Sequence, residues 1–202
     1  MPSFVPRRLT AAGEPLDCLH LGIDDARAAV VWVFGAGGGF HGPAGGLYDR
    51  LGETLAADGI ASLQVAYRRP RDLKACVVDV LAGVHALAEP TPIPVALVGH
   101  SFGGAVVIRA ALASPLVSAV AALSSQLAGT DDVAALAPRP LFLLHGTEDE
   151  ILPVRCSELI YQRAAQPKVL VRPRCRHGLD ECRDEVDRTL GAWLRERLLL
   201  LR

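Results

Sequence analysis

The chain has 202 residues, half of them apolar and 21% charged, with 21 Lys and Arg against 22 Asp and Glu. That length and composition predict one compact domain, residues 1 to 202, with a sizeable core. A net charge of −1 and an aromatic content of 5% argue against nucleic acid or an anionic membrane as partner, because both need a concentrated positive field and the first also uses stacking surfaces.

From Met1 to Pro15 the chain carries Arg7, Arg8 and Glu14 and lacks the apolar stretch of a signal peptide. The segment Ala75 to Ala88 is broken by Asp79 and His85, short of the roughly 20 apolar residues a membrane span needs. The cysteines are Cys18, Cys76, Cys156, Cys175 and Cys182, an odd number at low density. A reduced, cytoplasmic protein is expected on those grounds.

The first structural signal is a hairpin, Ser3 to Leu9 and Leu16 to Leu21, turning at Ala12-Gly13-Glu14. Short runs rich in Val, Leu and Ile then recur at Ala29 to Phe34, Ile60 to Ala66, Val95 to Val98, Val117 to Leu123, Leu141 to Leu144 and Lys168 to Arg172. Bounded by Gly, Pro or Ser, they read as buried parallel strands. Between them lie helical patterns: Ala44 to Asp58, Asp72 to Glu89, Phe102 to Ala113, Asp131 to Leu136, Arg155 to Ala165 and Asp180 to Leu199. Leu73, Val77, Val80, Leu81, Val84 and Leu87 share one helix face, and Pro90, Pro92 and Pro94 stop that helix. An antiparallel start followed by β/α alternation predicts an eight-stranded, mostly parallel sheet with helices on both faces. Ligands of such sheets bind beyond the carboxyl ends of the strands.

The loops at those ends carry the chemistry. After Val95 to Val98 comes Gly99-His100-Ser101-Phe102-Gly103, a G-x-S-x-G pattern between strand and helix. Glycine on both flanks lets backbones crowd beside the serine, and the helix N-terminus favours negative charge developing there. A serine hydroxyl needs a base, and the base an orienting carboxylate. His145 to Pro153 follows the seventh run with Glu148, Asp149 and Glu150 in a row, and His177 follows the eighth. The chain order is Ser101, Asp149, His177.

From about Ala29 to the C-terminal helix the sequence resembles the α/β-hydrolase superfamily, in particular its small cap-less esterase-like and dienelactone-hydrolase-like members. The resemblance rests on Gly99 to Gly103, on His-Gly-x-x-Asp-x-x-x-Pro at His145 to Pro153, and on His177-Gly178. It implies Ser101 as nucleophile, Asp149 as acid and His177 as base, with a serine-hydrolase activity toward small carboxylic esters or thioesters. It further implies an oxyanion hole made by the amide of Phe102 with that of Ala36 or Gly37. Two departures stand out. Phe34-Gly35-Ala36 replaces the His-Gly of many relatives, and dienelactone hydrolases proper use a cysteine where Ser101 stands.

Phe40, His41 and Leu152 are candidates for the substrate pocket, whereas His100 inside the turn and His145 at a strand end fit structural hydrogen-bonding roles. Arg174 and Arg176 are expected to disfavour the protonated form of His177 if they lie near it. Gly35-Ala36-Gly37 begins like a dinucleotide loop, but Phe40 replaces the third glycine and Arg68-Arg69 stands where a ribose-binding acid belongs. No P-loop lysine follows, and Cys175, His177 and Cys182 lack a C-x-x-C pair, so neither a cofactor nor a metal is expected. The alternative to an enzyme is a hydrolase-fold protein that binds a ligand or partner without turnover. The apolar tail Leu198 to Leu201 is compatible with internal packing or with a homodimer seam.

Overall fold

The computed structural model describes residues 3 to 89 and 92 to 200. Two antiparallel strands, β1 (Val5–Ala11) and β2 (Glu14–Leu21), open the fold in a hairpin that pairs Val5 with His20 and Ala11 with Glu14. Its two-residue turn is Ala12-Gly13, both with positive φ, as the twist of a tight hairpin requires. Then come β3 (Ala28–Val33), α1 (Pro43–Ala56), β4 (Ile60–Val65), α2 (Leu73–Ala88), β5 (Val95–His100), α3 (Phe102–Ala113), β6 (Val117–Leu123), β7 (Leu141–Leu144), α4 (Arg155–Arg163), β8 (Lys168–Val171) and α5 (Arg183–Arg195). They form one sheet in the order β1-β2-β4-β3-β5-β6-β7-β8, parallel from β4 onward.

The central strands are buried along their whole length, so their side chains feed a core on each face. On one side Val31, Leu63 and Leu97 pack with α2, α3 and α4 through residues such as Val80, Val106 and Ile160. On the other, Trp32, Val98 and Phe142 pack with α1 and α5 through Leu47, Tyr48, Leu190 and Trp193. Burying apolar area on both faces supplies the main drive for folding. The strand order also fixes where a site can form. The chain runs from β3 outward to β4, then crosses back to β5 on the other side of β3, which makes the β3/β5 boundary a topological switch point.

Three expectations are corrected. The first helix does not begin regularly at Ala44: Ala44, Gly45 and Gly46 are left-handed, with φ of 52°, 58° and 90°, and regular helix starts at Leu47. The C-terminal segment is not one helix but a 3₁₀ turn (Asp180–Cys182), α5 and a π-helical turn (Glu196–Leu200). The five thiols are not all free, because Cys175 and Cys182 are joined in a disulfide. Asp72 does cap α2, its carboxylate accepting the Ala75 amide at 3.1 Å. Pro90 and Leu201 lie outside the described residues, and Leu198 is buried against the α5 side of the core. Among the described residues no helix is long and apolar enough to cross a membrane.

Candidate active site

At the end of β5 the backbone turns sharply into α3, and Ser101 sits on that corner with φ 58° and ψ −120°. A non-glycine residue pays for such a conformation only where its surroundings enforce it. Here the Ser101 amide donates to the Leu123 carbonyl at 2.8 Å, and the Ser101 carbonyl accepts the amides of Gly104 at 3.1 Å and Gln126 at 3.3 Å. The flanking glycines are required by space. A Cβ on Gly99 would collide with the Gly103 carbonyl, one on Gly103 with the Phe34 carbonyl, and one on Gly104 would lie 2.5 Å from Ser125 Oγ. The corner thus forms by bringing three backbones closer than any side chain allows, and Ser101 is left partly exposed at the switch point.

Facing it across the β3/β5 boundary, Gly35 to Gly38 form a turn closed by the Gly38 amide on the Gly35 carbonyl at 3.0 Å. Ala36 and Gly37 are its central residues. Among the described residues their amides, like that of Phe102 at the head of α3, make no backbone hydrogen bond outside a helix or strand. Gly35 comes close to the corner, since a Cβ there would stand 3.5 Å from Ser101 Cβ. Unspent amides on both sides of a partly exposed hydroxyl form an anion-receptive notch.

The acid and the imidazole come from the loops after β7 and β8. His177 Nδ1 lies 2.7 Å from Asp149 Oδ2, and the Asp149 side chain is closed to solvent while that of His177 is 14% exposed. Asp149 Oδ1 accepts the amides of Ile151 at 2.9 Å and Leu152 at 2.7 Å. Burial alone would push this carboxyl up, but the hydrogen bonds from Leu152, His177 and Ile151 outweigh it and hold it below the usual carboxylate range. The two loops are packed together: a Cβ on Gly146 would strike the Cys175 carbonyl, and the Glu148 amide donates to that carbonyl at 3.1 Å. A disulfide between Cys175 and Cys182 spans the segment that holds His177. The two cysteines therefore bond each other rather than joining His177 as metal ligands.

His100 ties the serine corner to the histidine loop. Its ring packs at a tilt against that of His177 with centroids 4.8 Å apart, and its Nε2 donates to the His177 carbonyl at 2.9 Å. Burial pushes its pKa down to about 4, only partly offset by that hydrogen bond, so the ring is neutral at pH 7. Ser101, Asp149 and His177 are thereby gathered at one end of the sheet, with Ser101 and His177 bridged by His100. Among the described residues the Ser101 hydroxyl makes no hydrogen bond.

The pocket candidates are placed differently. The Leu152 backbone supports the acid loop, its amide on Asp149 and its carbonyl accepting from His145 Nε2 at 2.9 Å. His41 is anchored over β4: its amide donates to Gln64 Oε1 and its Nδ1 meets Asp49 Oδ2, both at 2.7 Å. Phe40 leans over the first hairpin, where it lines an open depression of about 420 Å³ with Arg7, Cys18 and Leu19, separated from β5 by β4 and β3. Ser157 on α4, which bonds His145 Nδ1 at 2.7 Å, carried no sequence signal of its own. His145 is at least flagged by its spacing of four residues from Asp149.

A family model for phospholipases and carboxylesterases matches residues 87 to 175, the stretch that holds the serine corner and the acid. The fold is similar to the esterase domain of a Rhodothermus marinus protein, at 21% identity and TM-score 0.75 over 96% of this chain and 99% of that one. The chain has the fold of that esterase domain. It is also similar in fold to an esterase of Pyrococcus furiosus, at 18% identity and TM-score 0.76 over 96% of this chain and 91% of that one. It superposes as well on an acylaminoacyl peptidase of Pyrococcus horikoshii, at 17% identity and TM-score 0.82 over 99% of this chain but 42% of the peptidase. No curated protein matches the sequence.

Proposed function

We propose that this protein cleaves carboxylic esters or thioesters of small acyl groups through an acyl-enzyme on Ser101. The observation that carries the reading is the 2.7 Å contact of Asp149 with His177 Nδ1, which leaves Nε2 as the proton acceptor beside the Ser101 corner. His177 Nε2 takes the hydroxyl proton as Ser101 Oγ bonds to the substrate carbonyl carbon. The carbonyl oxygen becomes an oxyanion held by the amides of Phe102 and Ala36 or Gly37. Collapse expels the alcohol or thiol, which receives the proton from His177. A water then attacks the acyl-enzyme with the same base, releasing the acid and restoring Ser101. The chain between β6 and β7 holds one short 3₁₀ turn, Val133–Leu136, so the described residues build no cap over the site, which suits small or varied acyl groups.

Hydrolysis of p-nitrophenyl esters from acetyl to decanoyl, measured beside Ser101→Ala, tests this. The variant is expected to lose about three to four orders of magnitude in kcat, with the fastest chain length sizing the acyl site. Equal, background-level rates for both proteins, together with no labelling of Ser101 by a fluorophosphonate, would overturn it in favour of a binding role.

A further inference from the structure

His145 lies at the end of β7 with its side chain wholly buried, directly beneath Asp149. Its Nε2 is 2.9 Å from the Leu152 carbonyl and 3.0 Å from Asp149 Oδ2. Both neighbours only accept hydrogen bonds, so Nε2 must carry the proton. Burial pushes the pKa of this imidazole down, which keeps it neutral and leaves Nδ1 as an acceptor. The Nδ1 partner is Ser157 Oγ at 2.7 Å, on the first turns of α4 and itself fully buried, so the hydroxyl must be the donor. The protons along the line are thus assigned by their neighbours: Ser157 donates to His145, the His145 Nε2–H is shared between the Leu152 carbonyl, which takes the main bond, and Asp149 Oδ2 beside it, and His177 donates to Asp149 Oδ2.

We propose that His145 and Ser157 are positioning residues for the reaction, a buried donor line that holds Asp149 Oδ2 in place and tempers its basicity toward His177. The inference rests on the proposed role of Asp149 and His177. Two imidazoles share one carboxylate oxygen, so each hydrogen bond weakens the hold of that oxygen on the other. Withdrawing the His145 donor makes Oδ2 more basic, and the His177 imidazolium is then better stabilised. The acid limb of the rate profile therefore moves to higher pH, and His177 spends more of neutral pH in the form that cannot act as base. Ser157 acts one step back: its hydroxyl polarises the ring and makes Nε2–H the better donor.

Other groups near the carboxylate are His177 and Arg176 on the loop after β8, His100 from β5, and Glu148 and Glu150 beside Asp149, with Glu158 next to Ser157 on α4. All of them remain in the variants, so a shift in the profile isolates the donor line.

The test compares Ser157→Ala, Ser157→Thr and His145→Gln with wild type in three readouts. These are the pH dependence of kcat/KM on the best p-nitrophenyl ester, the proton resonance of His177 Nδ1–H, and the thermal midpoint. Ser157→Ala is expected to raise the acid limb by about 0.3 to 0.5 pH unit, lower kcat less than about twofold at neutral pH with KM unchanged, and move the resonance downfield. His145→Gln should go further in the same direction, about threefold in kcat, and Ser157→Thr should restore wild-type values. An acid limb and resonance unmoved in Ser157→Ala overturn the proposal, including where kcat falls in step with the thermal midpoint, since that is packing alone. Should His145→Gln fail to fold, the Ser157 pair still decides. The resonance needs no turnover, so it reads the donor line even if the esterase reading fails.

Discussion

Asp79 and Asp149 are both carboxylates closed to solvent, and each is saturated with hydrogen bonds, yet their partners differ in kind. Asp79, on α2, takes the Arg68 guanidinium at 2.6 Å on one oxygen and the Arg68 amide at 2.9 Å on the other. Arg68 reaches on to Glu14 at 2.6 Å, tying the hairpin to the strand that follows. The hydrogen bond that Arg68 donates to Asp79 raises the already high pKa of this guanidinium, so the cation keeps its charge. Asp149 has two imidazoles and two amides instead. A buried acid beside a permanent cation is a staple, whereas one beside a titratable ring can orient that ring and stabilise its charged form. Composition does not separate the two, and neither does burial; the pKa of the partner does.

The sharpest way to break that contrast is to neutralise each acid in turn. Asp149→Asn leaves shape intact but can present its amide to His177 Nδ1, favouring the wrong tautomer; kcat per folded molecule is expected to fall by about 10⁴. Asp79→Asn leaves the Arg68 guanidinium, only 11% exposed, with Glu14 as its one remaining carboxylate partner among the described residues. Unfolding free energy is expected to drop by about 1 to 3 kcal/mol, with turnover per folded molecule unchanged. Urea titrations and active-site-titrated rates on the two variants check both arms. If Asp79→Asn lost turnover without losing stability, the division into a staple and a partner of a titratable ring would be wrong.

Acid sharpens the comparison next. His100 has its pKa lowered to about 4 by burial, against an ordinary value of 6.5 in the unfolded chain. Between those pH values the unfolded chain binds the extra proton, so stability falls as pH drops through the window, by about 3 kcal/mol when complete. His145 is lowered by burial too and adds to the same slope. Asp149 acts later: its folded pKa is depressed, so its contribution stands above the ordinary carboxyl value and is lost as pH falls below it. Arg68 adds no slope. Urea unfolding at pH 7, 5.5 and 4.5 should show a shallower decline in His100→Phe than in wild type, and parallel declines would remove His100 as the cause.

Much of this arrangement is legible in one dimension, for reasons that are local. The run Gly99 to Gly103 announces the corner because only glycine lets three backbones meet there, and the strands announce themselves because a strand buried on both faces is apolar throughout. The order Ser101, Asp149, His177 follows from the order in which their strands enter the sheet. What is hidden depends on approach in space. Cys175 and Cys182 pair because a 3₁₀ turn folds the chain back over seven residues, and composition argued against a bridge. The left-handed start of α1 reflects Tyr48 packed against Gly42, where a Cβ would lie 2.6 Å from the ring. Ser157 looks like any serine on a helix until α4 is laid against His145. Phe40 follows the glycine turn closely in sequence, but the chain leaves that turn toward β2 and not toward β5.

The smallest expected effect concerns Arg174 and Arg176, which flank His177 so closely in sequence that their charges would be expected to suppress its protonation. In the fold each guanidinium meets an exposed carboxylate first, Arg174 with Glu148 at 2.5 Å and Arg176 with Glu181 at 2.6 Å. A pair of opposite charges seen from a distance is a dipole, whose field in water falls away faster than that of a lone cation. Removing both cations with Arg174→Gln and Arg176→Gln also strands Glu148 and Glu181 as uncompensated anions. The acid limb of kcat/KM is then expected to rise by about 0.2 pH unit, and the difference should vanish in about 0.5 M salt. Removing Glu148 together with Arg174 keeps the local charge balanced and should leave the limb where it was. A rise of a full unit that persists in salt would mean that the guanidinium charges reach His177 directly. His177 would then resemble Asp79, a group set by permanent cations rather than by titratable neighbours.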